Sequence, residues 1–90
     1  MMLIALIARD KAGALQTRLD TRDAHVAYLK ETGVVSQAGP LLDDAGQMIG
    51  SLVILDVADM QAAQDWAVGD PYAKAGLFAN VELIPWKKVI

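Results

Sequence analysis

Ninety residues carrying eight Lys and Arg against eleven Asp and Glu have a net charge of −3, and neither sign collects into a block able to follow a phosphate backbone, which argues against a nucleic-acid partner. With no cysteine and one histidine, disulfides, thiolate nucleophiles and thiolate metal sites are excluded, a transition metal would have to rest on carboxylates, and a reducing compartment, the cytoplasm, is expected. Apolar residues form 54% of the chain at a mean hydropathy of +0.32, high for a single domain spanning 1–90 that hides only about 60–65% of its unfolded surface, so leftover apolar surface is expected to pair two copies in a homodimer.

Met2 to Ala8 is an unbroken apolar run closed by Arg9-Asp10, the pattern of a central strand. No basic segment precedes it as in a secretory leader, and no apolar run approaches the roughly 18 residues of a membrane span, so no membrane partner is expected. Leu15 to Thr32 lacks Pro and Gly and repeats Leu15, Leu19, Val26 and Leu29 at helical spacing, with Asp20, Asp23 and Lys30 on the other side. This predicts a helix whose leucine stripe is buried and which ends at Gly33.

Val34 to Gly39 reads as a short strand stopped by Gly39-Pro40. Leu41 to Gln47, with two Asp and a Gly, is turn chemistry, and Met48 to Val57 is a third strand. Gly50-Ser51 inside that strand predicts a bulge or a close backbone approach. Asp59 is an N-cap for a helix carrying Met60, Ala63, Trp66 and Ala67 and ending by Gly69. Asp70-Pro71 then caps and opens a short helical turn through Ala73 or Lys74, closed by Gly76, and Phe78 to Trp86 is the last strand. The order βαββαβ predicts an α+β ferredoxin-like sandwich, an antiparallel sheet with both helices on one face. A second sheet covering the other face gives the dimeric α+β barrel.

His25, the only side chain with an ordinary pKa near neutrality, falls beside Arg18 on the shoulder of the predicted stripe, with Arg22 on the same flank. Two cations and an imidazole suit an anionic or phenolic ligand, although a boundary histidine, and arginines paired with Asp10, Asp20 or Asp23 at the surface, fit the spacing equally. Asp70 is fully explained as a cap, and a capping carboxylate at a pocket rim can also orient an imidazole. Ser51 reads first as a strand-edge hydroxyl and second as a ligand contact. Tyr72 and Trp86 read as core or interface residues able to line an aromatic-accepting pocket. Phosphate loops, GxGxxG and HExxH are absent, and Met2 to Ala8 and Met48 to Val57 carry no aromatics for stacking RNA bases. No cofactor is expected.

Taken together, Arg18, His25-Val26-Ala27-Tyr28-Leu29, Ala38-Gly39-Pro40-Leu41, Gly50-Ser51 and above all Asp70-Pro71-Tyr72-Ala73-Lys74-Ala75-Gly76-Leu77-Phe78 with Val81-Glu82 and Pro85-Trp86 resemble the YCII-related (YciI-like) family over nearly the whole chain. The resemblance implies a ferredoxin-like fold, dimers of the α+β barrel kind, and a site where a histidine and an aspartate meet, which map onto His25 and Asp70. A characterised relative in chloroaromatic breakdown resembles a dehydrochlorinase. On this basis the chain is expected to be a small cofactor-free lyase or isomerase with a His25–Asp70 dyad. Arg18 would bind the substrate anion, with Ser51, Gly39, Pro71 and Tyr72 shaping the pocket. A non-catalytic small-molecule-binding module is the alternative, and a purely structural dimerisation domain would hold His25 and Asp70 far apart.

Overall fold

Residues 1–90 are described by a computed structural model. The chain runs β1 (Met2–Asp10), α1 (Leu15–Thr32), β2 (Val35–Leu42), β3 (Met48–Val57), α2 (Met60–Gly69), α3 (Pro71–Lys74) and β4 (Phe78–Trp86). One four-stranded sheet has the order β2-β3-β1-β4, and every neighbouring pair is antiparallel. This is the ferredoxin-like α+β arrangement expected from the element order.

Alternation along the strands sorts side chains between two faces. Ile4, Leu6 and Ala8 of β1 and Val53, Leu55 and Val57 of β3 point to the helices and form one buried cluster with Ala63 and Trp66 of α2. The opposite face is largely apolar. The cross-strand rows Leu52–Ile7–Glu82, Ile54–Ala5–Ile84 and Asp56–Leu3–Trp86 lie there, and Leu52, Ile84 and Trp86 remain 38–43% exposed.

The local signals act where the sequence places them. Gly33 and Gly76 adopt left-handed φ values of 68° and 73° at the ends of α1 and α3, and Asp59 Oδ1 accepts from Ala62 N at 2.8 Å to cap α2. At Gly50 a Cβ would sit 2.3 Å from the Ala8 carbonyl oxygen, so β1 packs against backbone there, and the β2–β3 register shifts beside it, between Leu41 and Leu42.

Two expectations are corrected. The second strand does not stop at Gly39-Pro40 but continues to Leu42. β2 is an edge strand, where proline's missing N–H can face outward without breaking a ladder bond. The leucine stripe of α1 is not buried along its length either: Leu29 packs against the core, but Leu15 and Leu19 are 37% and 48% exposed, whereas Arg18 and His25 are the buried residues of the helix. The helix is turned by polar partners, described next, that hold those two side chains inward.

Candidate active site

The chain reaches the site through a locked joint. Tyr28 Oη donates to the Trp66 carbonyl oxygen at 2.8 Å, and Trp66 Nε1 donates to Thr32 Oγ1 at 2.9 Å, tying the end of α1 to α2. A Cβ on Gly69 would lie 2.5 Å from the Tyr28 hydroxyl, so any larger residue would have to push the Tyr28 ring off its bond to Trp66. Asp70 follows at once. It caps α3 by accepting the Tyr72 N–H on Oδ1 at 3.0 Å, with Pro71 at the first helical position.

That same Oδ1 lies 2.7 Å from His25 Nδ1. An ionised carboxylate only accepts, so Nδ1 carries the proton and donates, which leaves Nε2 as the free ring nitrogen. Both groups are buried, with Asp70 1% and His25 7% exposed. The purely structural reading required these side chains to be far apart, and they are in contact. Asp70 Oδ2 is buried with no hydrogen-bond partner, so the carboxylate is short of compensating positive charge, a costly state for a buried anion.

Tyr72, one position into α3 from Pro71, fills the slot between Arg18 and His25, which are two helical turns, about 10.5 Å of rise, apart. Its ring stacks on the imidazole at a centroid distance of 3.8 Å and an interplanar angle of 17°, and the Arg18 guanidinium carbon lies 4.6 Å from its centroid. Phe78 meets the same ring edge-on at 5.9 Å. Burial raises the Tyr72 pKa above its ordinary value, the charges of Arg18 and Arg22 offset part of the rise, and Asp70 adds to it. The phenol is therefore a neutral donor at physiological pH.

Arg18 donates from Nε to Asp10 Oδ2 at 2.7 Å and from Nη2 to Asp10 Oδ1 at 2.9 Å, and again from Nη2 to Ser51 Oγ at 2.9 Å. Burial by itself would lower the Arg18 pKa, but the bonds and charge of Asp10, helped by Tyr72, outweigh it and hold the group above its ordinary value. The sequence offered Asp10 as a surface partner; in fact its side chain is 7% exposed. Its parity was the available signal, since it continues the inward series Ile4, Leu6, Ala8.

These groups line a cleft of about 210 Å3. α1 contributes Arg18, Arg22 and His25, α3 contributes Tyr72, and β3 contributes Ser51. The outer wall is Ala38-Gly39-Pro40 of β2, and Leu29 and Met48 complete the lining. Sequence reasoning thus named Arg18, Arg22, His25, Gly39, Ser51 and Tyr72 of the lining and missed Leu29 and Met48, which carry no chemical signature. Asp70 stands behind His25 rather than in the lining. Pro71 does not line the cleft and serves the cap of α3. Trp86 lies on the far face of the sheet, away from this pocket. No group of three or more His, Asp or Glu side chains is arranged to hold a metal ion, and no helix is long and apolar enough to cross a membrane.

A family model described as the YCII-related domain matches residues 2–87. Protein YciI of Escherichia coli is 40% identical over 98% of this chain and 99% of its own length. Among solved structures, 5-chloro-2-hydroxyhydroquinone dehydrochlorinase from Burkholderia phenoliruptrix, in complex with 2,5-dihydroxybenzoquinone, superposes with a TM-score of 0.86 at 34% identity, covering 96% of this chain and 94% of the other. An antibiotic biosynthesis monooxygenase shares the fold alone, at a TM-score of 0.62 and 10% identity.

Proposed function

The chain belongs to the YCII-related family, and from that premise we propose that it is a homodimeric small-molecule enzyme that performs acid–base chemistry on a hydroxylated ring or enol through His25 and Asp70. The observation that carries this reading is the buried pair itself. His25 Nδ1 is 2.7 Å from Asp70 Oδ1, while Asp70 Oδ2 has no partner. A proton taken up by the imidazole puts a positive charge beside a carboxylate that lacks one. The pair is thus better matched after proton abstraction than before it, which is what a general base requires.

In this mechanism the substrate reacts as its keto tautomer, in which one hydroxyl proton has moved to the ring carbon that bears the leaving group; Nε2 removes the proton of a second hydroxyl, and the electron pair released passes through the ring to expel the leaving group with its bonding electrons. For a chlorinated hydroquinone one hydroxyl proton thus ends on the former C–Cl carbon, the other on His25, and chloride departs to leave a quinone, so the step balances without an oxidant or reductant. Asp70 holds the tautomer and stabilises the imidazolium, and Tyr72 fixes the imidazole plane by stacking. Fold relationship to the dehydrochlorinase supports the ligand class, and so does the size of the cleft, below the roughly 300–1,000 Å3 of drug-sized sites.

Chloride release from 5-chloro-2-hydroxyhydroquinone by the full-length protein tests this. The wild type is expected to release chloride, and His25→Gln and Asp70→Asn to lose about 10²-fold or more of the rate, the range of general acid–base catalysis. A wild type that binds the compound but releases no chloride overturns the enzyme reading in favour of a binding module.

A further inference from the structure

Two guanidinium groups face the cleft, and only one of them has a carboxylate. Arg18 is 2% exposed, spends Nε and Nη2 on both oxygens of Asp10, and uses Nη2 again on Ser51. Its charge is matched and its donors on that edge are occupied. Arg22, one turn further along the same face of α1, lines the same cleft yet is exposed and enters neither of the ion pairs of the protein. Its field nonetheless reaches inward as far as the Tyr72 phenol. Around this pocket Asp10 is paired with Arg18, and Asp70 is contacted by the His25 ring, which is neutral until it takes up a proton. Arg22 is the cation of the cleft lining that no carboxylate holds.

We infer that Arg22 is the residue that reads the ligand's charge, its guanidinium taking an anionic oxygen of a small planar ring at the mouth of the cleft. Arg18, with Tyr72 and Ser51, forms the fixed floor beneath it. Arg22 and His25 are three residues apart on one helix face, where side chains are neighbours with Cβ atoms about 5–6 Å apart. A ring held through one oxygen at Arg22 therefore presents a second oxygen to His25 Nε2. This selects rings with two or more oxygen substituents, at least one of them ionised. At about 210 Å3 the cleft holds a single ring. The inference rests on the proposed function for the ligand class, and it deepens that reading by separating charge recognition from proton transfer.

The test compares two probes of equal ring size at neutral pH. The first is 2,5-dihydroxybenzoquinone, whose enolic hydroxyls are vinylogous acids and are ionised; the second is hydroquinone, which is uncharged. Titrated into the full-length wild type and followed by visible absorbance and calorimetry, the anion is expected to bind more tightly. Arg22→Gln should shrink that preference about tenfold, the value of one charged hydrogen bond at a partly solvated site, and Arg22→Lys should restore part of it. The urea midpoint of Arg22→Gln should match wild type, because Arg22 has no protein partner to lose. Raising salt should weaken the preference of the wild type and not that of Arg22→Gln. The inference is overturned if Arg22→Gln keeps the full preference, or if the wild type has none. Failure of the acid–base reading shows differently, as His25→Gln matching wild type in chloride release.

Discussion

Tyr28 and Tyr72 are the two tyrosines of the chain, and both are placed where a phenolate is disfavoured. Burial raises the Tyr28 pKa and the charge of Asp70 raises it further; burial raises that of Tyr72 despite Arg18 and Arg22. In each case the folded state favours the protonated phenol, so the stability these groups contribute is complete below the unfolded value of about 10 and is lost as pH rises above it toward the folded values. Tyrosinate absorbance at 295 nm should therefore remain well under half-developed at about pH 10, where unfolded tyrosine is half-ionised, and should reach the half-way value there once urea is added. Half-development in the native protein at that pH would show that neither ring is held as described. At this scale much of the site was legible by residue type, because a lone histidine, two arginines on its flank and an Asp-Pro pair are uncommon enough to stand out. What spacing could not supply was the pairing. His25 and Asp70 are 45 positions apart, and Arg18 and Ser51 are 33 apart, so only the family resemblance joined the dyad before the fold did.

Elements whose limits are set within three or four residues were readable from the chain. The Asp59 cap, the Asp70-Pro71 start of α3 and the Gly33 and Gly76 exits depend on backbone geometry that few residue types supply. The inward face of α1 was not readable, because Asp10, Ser51 and Asp70, from three other segments, decide it. Arg18 and His25 are held inward by hydrogen bonds that outweigh the modest gain of burying Leu15 and Leu19. The edge position of β2 likewise comes from the sheet as a whole, so Pro40 looked like a stop when it was only a non-pairing residue. The two glycines of this hairpin should separate experimentally. Gly50→Ala places a methyl against the Ala8 carbonyl and forces two backbones apart, which should destabilise by about 1–3 kcal/mol in urea unfolding. Gly39→Ala meets open space and should change stability by no more than about 0.5 kcal/mol, while adding bulk to the cleft wall. Equal losses for the two would mean that the close β1–β3 approach does not constrain Gly50.

For the molecule as a whole, the uncovered sheet face is the surface on which the proposed homodimer would form. One face of the sheet is sealed by α1 and α2, while the other carries Leu3, Ala5, Ile7, Leu52, Ile54, Ile84 and Trp86 in adjacent rows, with Leu52, Ile84 and Trp86 at 38%, 43% and 40% exposure. The middle row is apolar across three strands while Glu82 and Asp56 close the outer two, and an apolar centre with charge at its edge is the pattern of an association surface. A two-fold axis lets the same patch cover itself, sheet on sheet at about 10 Å. The proposed homodimer therefore predicts a solution mass of twice 9.6 kDa by sedimentation at micromolar concentration. Leu52→Glu or Ile84→Glu should convert it to monomer, because two-fold symmetry sets each new carboxylate in a desolvated interface twice over. Val68→Glu is the control: at 74% exposure on α2, behind the sheet, it adds the same charge on the other side of the protein and should leave the dimer intact. A wild type sedimenting at the mass of one chain, or a Val68 variant that dissociates as readily as the Leu52 variant, would place the association surface elsewhere. The cleft opens on the helix side of the sheet, so the monomeric variants should still bind 2,5-dihydroxybenzoquinone, with affinity reduced only as far as their lower stability leaves α1 and α3 less firmly docked.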